Sequence, residues 1–358
     1  MAAPRAQKIL AYATGFLLGC LILMVVFRGR EQTEERDGRH PWHAQTAPPG
    51  TYPMPFTDDL GRSVELTEQP RWFISLAPSL TEILFAMDMG DHLLAVTEWC
   101  RHPEEANQLR KDGHHVGSMD RPSLETIASL RPDMVLGTDL TPPEVYRSVH
   151  RPPRTVAVAF AHTGMEDILA DIGQIGVLTG VPGKALQLVR DLKARKAEVD
   201  RRVDRHREGE RPRTLFLLSI EEGLQPGWAP GADSWIDEIL TEAHATNIAA
   251  EMGTAWGEVS PEALLALNPE VLLIREAETA EATEQLRRRI ARLETHPVWK
   301  RVPAVRDDRV HLVPYGPFSI PGPRVMEAYA AAAEALWKWP EGGDTDRARV
   351  SRSEGPES

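Results

Sequence analysis

Glu125 and Glu262 are the side chains whose setting most invites a chemical reading, because the chain builds the same surroundings around each. Ser123-Leu-Glu125-Thr-Ile127-Ala-Ser-Leu130-Arg-Pro132-Asp133-Met-Val-Leu136 aligns without a gap on Ser260-Pro-Glu262-Ala-Leu264-Leu-Ala-Leu267-Asn-Pro269-Glu270-Val-Leu-Leu273, at an offset of 260 − 123 = 137 residues. Five of the fourteen positions are identical and four more exchange like for like. A lone carboxylate in a first helical turn does no more than complement the helix dipole, worth roughly 0.3–1 kcal/mol. Two of them at equivalent places in a duplicated unit form a pair related by a pseudo-twofold axis. A two-fold partner can grip such a pair with one arginine on each carboxylate, which fixes register as well as orientation.

Other chemistries are thinly supplied. The chain has no phosphate-cradling Gly-rich loop with a Lys, no His-Glu-x-x-His and no nucleophile elbow, so no enzymatic activity is expected. Asp58-Asp59 and Glu104-Glu105 are carboxylate pairs, but a turn and a loop should simply solvate them. Cys100, His102, His114 and His115 fall within sixteen residues and are of the types that hold zinc. Their spacing is irregular and no single element holds four of them, so no metal site and no resident cofactor are expected. Flat aromatics are better represented. Trp99 follows an early strand, Trp256 precedes the second repeat, and Tyr315 and Phe318 share a late loop, with Trp228 a weaker candidate. Such rings suit a ligand with a wide apolar face. Arg101 and Arg324 are isolated, and no arginine cluster stands out.

The elements that must position these residues follow from periodicity. Each repeated block reads as a helix with Ser at the N-cap, an i, i+3 apolar stripe and a Pro stop, followed by a short buried strand. Pro55–Leu66 reads as a hairpin around an Asp/Gly turn. Strands are expected at 72–77, 93–97, 134–138 and 155–160, and again at 214–220, 271–274 and 309–313. Pro78-Ser79-Leu-Thr-Glu82 should open a helix as a capping box. Met165–Thr179 and Lys184–His206 read as helices, and the second carries a narrow apolar stripe of Leu186, Val189, Leu192, Val199 and Val203. The expected fold is therefore α/β: two Rossmann-like lobes with mostly parallel sheets, joined by one long backbone helix.

Bulk numbers set outer limits. With 358 residues the chain can bury two cores of ordinary size. A net charge of −12 argues against a nucleic-acid partner, which requires a basic surface. Cys20 lies in the apolar N-terminal stretch and leaves Cys100 without an intramolecular partner, so no disulfide framework is available. Ile9–Phe27 is a run of 19 residues without a charge, roughly 28 Å as a helix and enough to cross the hydrocarbon layer. An uncleaved anchor is favoured over a signal peptide, although Leu17-Leu18-Gly19-Cys20 resembles a lipoprotein processing site. The expected layout is a cytoplasmic n-region at 1–8, the membrane segment at 9–27 and a flexible stalk at 28–51. An N-terminal lobe at 52–165, bridging helices at 166–211, a C-terminal lobe at 212–339 and a disordered tail at 340–358 complete it.

Four stretches together resemble the helical-backbone, class III substrate-binding proteins of bacterial ABC importers. Ile74-Ser-Leu-Ala-Pro78-Ser-Leu-Thr-Glu82 is similar to the family's first strand and helix, and Leu94-Ala-Val-Thr-Glu-Trp99-Cys-Arg-His-Pro103 to its next strand and loop. Val116-Gly117 with Pro122-Ser-Leu-Glu125 and Leu130-Arg-Pro-Asp133 is the most specific block. Tyr315-Gly-Pro-Phe318-Ser-Ile-Pro-Gly-Pro323-Arg324 resembles the loop before the last helix. The match covers roughly Tyr52 to Trp339 and is strongest with cobalamin-binding members. It implies a membrane-anchored receptor facing the periplasm or cell exterior, binding a corrinoid between its lobes and passing it to a permease dimer with its ATPase. Trp99, Trp256, Phe318, Met119 and Tyr315 would contact ligand, and Glu125 and Glu262 would dock the permease. Met119 departs from the pattern, because cobalamin-binding relatives often place an aromatic there. A ferric siderophore or haem as cargo, or a tethered sensor without a transporter, are the alternatives left open. His102 or His162 as an axial contact to a metallo-ligand is open too.

Overall fold

The computed structural model describes residues 50–161, 164–207 and 209–337. The apolar run 9–27 with Cys20, nearly all of the 28–51 stalk, His162 and the 340–358 tail lie outside the described residues. Among the described residues no helix is long and apolar enough to cross a membrane. Two compact units are formed. One takes the chain up to Ala161 together with Ala170–Ala185; the other takes the chain from Leu186 together with the short stretch ending at Leu169.

The first unit opens with a hairpin, β1 (Met54–Thr57) paired antiparallel to β2 (Ser63–Leu66). Its sheet contains β3 (Phe73–Ser75), β4 (Leu93–Ala95), β5 (Met134–Thr138) and β6 (Val156–Phe160), in the order β4-β3-β5-β6. Every neighbour is parallel, and β5 and β6 are buried along their whole length. That is why these two strands read as unbroken apolar runs rather than as alternation. Four helices connect them: α1 (Pro78–Ala86), α2 (Glu104–Lys111), α3 (Leu124–Leu130) and α4 (Pro143–Val149). The cap of α1 is Ala77, not Ser79. Pro78 takes the first helical position, where its missing N–H is no loss. Thr81 then bonds back to Ala77 O at 3.1 Å and Ser75 Oγ at 2.8 Å.

The carboxylates of the hairpin turn are structural, contrary to their expected solvation. Strand β6 is the sheet edge, and an exposed edge leaves backbone groups without partners. Asp58, 2% exposed, accepts from Ala159 N at 3.0 Å, and Arg62 donates to Ala157 O at 3.1 Å. Asp59 N donates to Ala159 O at 3.2 Å, and Asp59 Oδ2 accepts from Ala161 N at 2.8 Å. His150 Nδ1 accepts from Ala157 N at 3.2 Å. Burial and the nearby Arg62 charge hold the His150 ring below its ordinary pKa, a shift that favours the neutral form able to accept. The outward groups of residues 157, 159 and 161 named here are thus met by side chains and backbone of the hairpin and α4.

The second unit repeats the plan. Strands β7 (Arg213–Leu217), β9 (Thr246–Asn247), β11 (Val271–Arg275) and β12 (Val310–Val313) are ordered β9-β7-β11-β12, again all parallel. In both sheets the chain leaves a central strand for one neighbour, then crosses to the other side for the third and fourth strands. A short antiparallel ribbon, β8 (Trp228–Pro230) with β10 (Trp256–Glu258), is added. The helices are α5 (Met165–Leu178), α6 (Pro182–His206), α7 (Trp235–Glu242), α8 (Pro261–Leu267), α9 (Ala280–Ile290), α10 (Pro303–Arg306) and α11 (Val325–Trp337). The division between units falls inside α5, at 169/170, and inside α6, at 185/186.

Helix α6 buries Ala185, Leu192, Val199 and Val203, whereas Leu186 is 51% exposed. Residues spaced by seven share a face, and Leu186 lies one position, about 100°, off that line. Ala185 takes the place expected for Leu186: a Cβ on Gly176 would come within 2.2 Å of it. Farther along, Lys196 Nζ reaches Glu242 Oε2 on α7 and Tyr329 OH on α11 donates to Asp200 Oδ1 at 2.8 Å. Burial lowers the Lys196 pKa, but its bonds to Glu242 and Asp200 outweigh that, and the net shift is upward.

Glu238 on α7 accepts from Met165 N, at the start of α5, at 2.7 Å. Gly164 gives it room, since a Cβ there would come within 2.3 Å of Glu238 Oε2. Burial raises the Glu238 pKa, the bond from Met165 opposes this, and the neighbouring Glu242, Asp167 and Glu166 add to the rise. A carboxyl raised on folding favours the native state below its unfolded pKa, and that contribution is lost as pH climbs through the folded value. Glu238→Gln keeps an acceptor for Met165 and removes the charge. It is expected to melt higher than wild type at pH 7, with the gap closing by pH 4. Parallel melting curves at all pH values would show that the carboxylate is not strained.

Candidate functional site

The fourteen-residue repeat is a repeat in three dimensions. Ser123 Oγ accepts from Thr126 N at 3.2 Å, and Ser260 Oγ from Ala263 N at 3.0 Å, so both serines cap as expected. Both helices stop on a left-handed residue, Arg131 (φ 53°) and Asn268 (φ 49°). The last paired carboxylates of the repeat, Asp133 and Glu270, also do matching work. Asp133 Oδ2 accepts from Arg71 N and Trp72 N at 2.8 and 2.9 Å, just before β3, and Glu270 Oε2 accepts from Arg213 N at 2.9 Å, at the start of β7.

Glu125 and Glu262 have no such duty. Each is the second residue of its helix, one place short of the position from which a glutamate closes a capping box. Both are exposed, and among the described residues neither carboxylate enters a hydrogen bond or ion pair. The serines satisfy the helix starts, and the carboxylates point outward at equivalent places of two similar units.

Within each unit, aromatic candidates follow the carboxyl ends of parallel strands, where open α/β sheets take ligands. Trp99 follows β4 and is 40% exposed. Its approach is set by Val96, which bridges to His115, and by Glu98 N, which donates to Gly117 O at 3.0 Å. Met119, half-buried, lies in the loop closed by the Gly117–Pro122 bridge, with Gly117 at φ 88°. Ser123 N donates to Val116 O at 2.6 Å and ties that loop to α3. Trp99 and Met119 therefore sit on two loops clamped together, six residues from Glu125 in the second case (125 − 119 = 6). Met119 also stands 256 − 119 = 137 residues before Trp256, the offset of the repeat. The two are equivalent positions, a signal present in the sequence but hidden because the residue types differ.

In the second unit, β10 pairs Trp256 with Pro230 and Glu258 with Trp228. Alternation along an antiparallel ribbon puts Trp228, Pro230, Trp256 and Glu258 on one face, with Ala229 and Gly257 on the other. The two half-buried indoles are diagonal neighbours at roughly 7 Å. Trp228, the weaker candidate, thus joins Trp256. Tyr315 is half-buried two residues past β12. Phe318 is a correction: it is 2% exposed and stacked on Phe216 with centroids 5.3 Å apart. It holds the late loop onto the core and offers no open face of its own.

The sulfur and imidazole cluster does not converge. Cys100 is buried and accepts from Thr81 Oγ1 at 3.1 Å; burial raises its thiol pKa, partly offset by Thr81 and Thr97. His114 and His115 are exposed. Among the described residues no group of three or more His, Cys, Asp or Glu is placed to hold a metal ion. The fold brings Arg275 beside Tyr315, with its guanidinium carbon 4.9 Å from the ring centre.

The same four-stranded parallel plan is thus built twice, in the orders β4-β3-β5-β6 and β9-β7-β11-β12. Residues 74–315 match the family model described as periplasmic binding protein, and the chain belongs to that family. The family binds solutes and is not enzymatic, in keeping with the missing catalytic motifs. The chain is 26% identical over 289 residues to an uncharacterized ABC transporter substrate-binding lipoprotein of Bacillus subtilis, covering 80% of this chain and 86% of that one. It is 29% identical over 210 residues to a vitamin B12-binding protein of Pectobacterium atrosepticum, covering 57% and 71%. A periplasmic haem-binding protein of Roseiflexus superimposes with a TM-score of 0.62 at 24% identity, over 75% of this chain and 98% of that one. The periplasmic vitamin B12-binding protein of Vibrio cholerae gives 0.60 at 22%, over 75% and 96%. At such identities the two solved structures establish the fold.

Proposed function

We propose that this chain is the membrane-tethered, extracytoplasmic solute-binding component of an ABC importer. It would bind a metal chelate of the corrinoid type and deliver it to a permease dimer with its ATPase. The observation that carries the reading is the pair of exposed, functionally unspent glutamates at equivalent positions of the two units, Glu125 and Glu262. A substrate-binding lipoprotein and vitamin B12-binding proteins among the relatives support both the transport role and the ligand class. The uncharged run Ile9–Phe27 supports the tether. The chain performs no chemistry in this scheme; the importer's ATPase supplies the energy.

Ligand would stack on Trp99 from the first unit and on Trp256, with Trp228 and Tyr315, from the second, and Met119 would add an apolar contact. Titration with cyanocobalamin, haem and a ferric siderophore, read by absorbance and tryptophan quenching, tests the reading directly. Saturable quenching by one of them is expected, and quenching by none sinks it. Trp99→Ala and Trp256→Ala should each weaken the bound chelate about tenfold, the value of a lost stacking face of about 1.5 kcal/mol. Unchanged affinity in both would remove the indoles from the site. Met119 favours a second reading, haem or a ferric siderophore on the same fold, because cobalamin-binding relatives often place an aromatic there. Crosslinking at Glu125 or Glu262 separates either version from a sensor, which would capture no importer.

A further inference from the structure

Resting on the membrane-tethered reading, we propose that the amino edge of the first unit's sheet is a docking face for a lipid surface carrying anionic headgroups. The loops that enter β3, β5 and β6 put Arg71, Arg131, Arg151 and Arg154 at that edge, and Arg147 joins them from the last turn of α4. All five are exposed. Among the described residues none of their guanidinium groups meets a carboxylate. The bonds that Arg151 makes go to the carbonyls of Arg147 and His150, at 2.7 and 2.8 Å. Beside them stand Trp72, 47% exposed, with the His92 ring 6.1 Å away, and the exposed Pro152-Pro153 pair.

Strand pairing makes one patch of residues spread over 154 − 71 = 83 positions of the chain, so no basic cluster is visible before folding. Phe73 is in register with Met134, and Met134 with Val156, which sets the three entry points side by side at roughly 4.8 Å from strand to strand. Thr155 Oγ1 donates to Pro132 O at 2.8 Å, and Asp133 N to Trp72 O at 2.9 Å. Of the carboxylates in these entry loops, Asp133 is bonded to Arg71 N and Trp72 N, Asp88 pairs with Lys184 at 3.4 Å, and Glu68 and Asp91 are the others. The local surplus is positive in a chain whose net charge is −12. One arginine past a helix end would only complement its dipole. Five around a tryptophan do more: each cation near an anionic bilayer favours binding about fivefold, and indoles prefer the headgroup level. Contacts this weak suffice when a tether holds the chain at the surface. From Phe27 to Gly50 the sequence has 49 − 27 = 22 intervening residues, at most about 75 Å of extended chain. Glu125 and Arg131 lie at opposite ends of α3, so lipid contact through this edge turns Glu125 away from the bilayer. It is a resting place that docking to a permease must displace.

The test places the full chain in nanodiscs of phosphatidylcholine alone, or with about 30% phosphatidylglycerol, and times phenylglyoxal modification of each arginine by mass spectrometry. Arg121, with 82% of its side chain exposed in the loop at the opposite edge of the same unit, is the control. On the anionic discs modification of the five arginines should slow at least about threefold with Arg121 unchanged, and about 0.5 M salt should restore the rate. In the Arg131→Gln/Arg154→Gln variant the remaining three should lose that protection, while melting and ligand affinity stay near wild type. Equal rates on both discs, or slowing at Arg121 alone, overturn the proposal. Slowing by poly-glutamate and not by anionic discs assigns the face to an acidic protein and overturns it too. If the chain stays with neither kind of disc, the tether reading fails, and sedimentation with anionic vesicles decides the face on its own. Salt-sensitive binding there upholds it, and no binding overturns it.

Discussion

Glu125→Ala/Glu262→Ala is expected to bind its ligand within about twofold of wild type and to lose uptake by about a thousandfold or more, because each truncated charge pair at an interface costs about 2–5 kcal/mol. The separation of the two readouts follows from the geometry. Neither carboxylate holds its helix: Ser123 and Ser260 make the caps, and the carboxylates sit where they cannot bond back to the cap residues. Their loss removes only the dipole term, roughly 0.3–1 kcal/mol each, so the chain should fold and melt nearly as before. Single substitutions should each cost part of the transport rate, since a two-fold permease would keep one grip. Charge reversal to lysine at both positions should be worse than alanine, because it presents like charge to the partner's basic side chains. Transport at the wild-type rate by the double alanine variant would remove these residues from docking. Loss of ligand binding in parallel with uptake would instead make them structural.

The parts of the fold that local pattern determines were legible in the sequence. Strand β5 and the repeated helices fell where periodicity placed them, since a buried parallel strand is an apolar run and a serine cap with a Pro stop brackets a helix. What could not be read depends on distant partners. The turn carboxylates Asp58 and Asp59 look solvated until β6, a hundred residues on, is seen to be a sheet edge with N–H groups to satisfy. Ser79 looks like a cap until Pro78 is placed in the first turn. Leu186 belongs to the apolar stripe by composition, and only packing at Gly176 shows that Ala185 fills the place. The candidate site divides the same way. Trp99, Trp256 and the two glutamates are singled out in the sequence by type and repeat, whereas an aromatic in a loop, such as Phe318, carries no mark of whether its ring turns inward, as it does here to Phe216. The ribbon face joining Trp228 to Trp256 and the approach of Arg275 to Tyr315 are products of strand pairing that no local window contains.

Asp58→Ala is expected to be among the most destabilising single substitutions in the first unit, although it removes a residue from a surface turn. The carboxylate is buried and accepts from Leu60 N, Arg62 N, Arg62 Nε and Ala159 N at 3.2, 2.9, 2.9 and 3.0 Å. Truncation would strand the N–H of Ala159 and leave the Arg62 guanidinium, which lies 4.1 Å from the Tyr146 ring centre, facing a void. Breaking one side of a buried ion pair costs about 3–5 kcal/mol. Arg62 keeps 30% of its side chain in water, so the lower end, about 3 kcal/mol, is expected. For a unit of this size that is a fall in melting temperature of roughly 6–12 °C. Asp58→Asn retains an acceptor for Ala159 and should lose clearly less, which separates the charge from the hydrogen bond. Because the hairpin covers the β6 edge, hydrogen exchange at Ala159 and Ala161 should accelerate in the alanine variant before any change at β3 or β5. A variant that melts with wild type, or exchanges first at β3, would mean that the edge is held by something other than this turn.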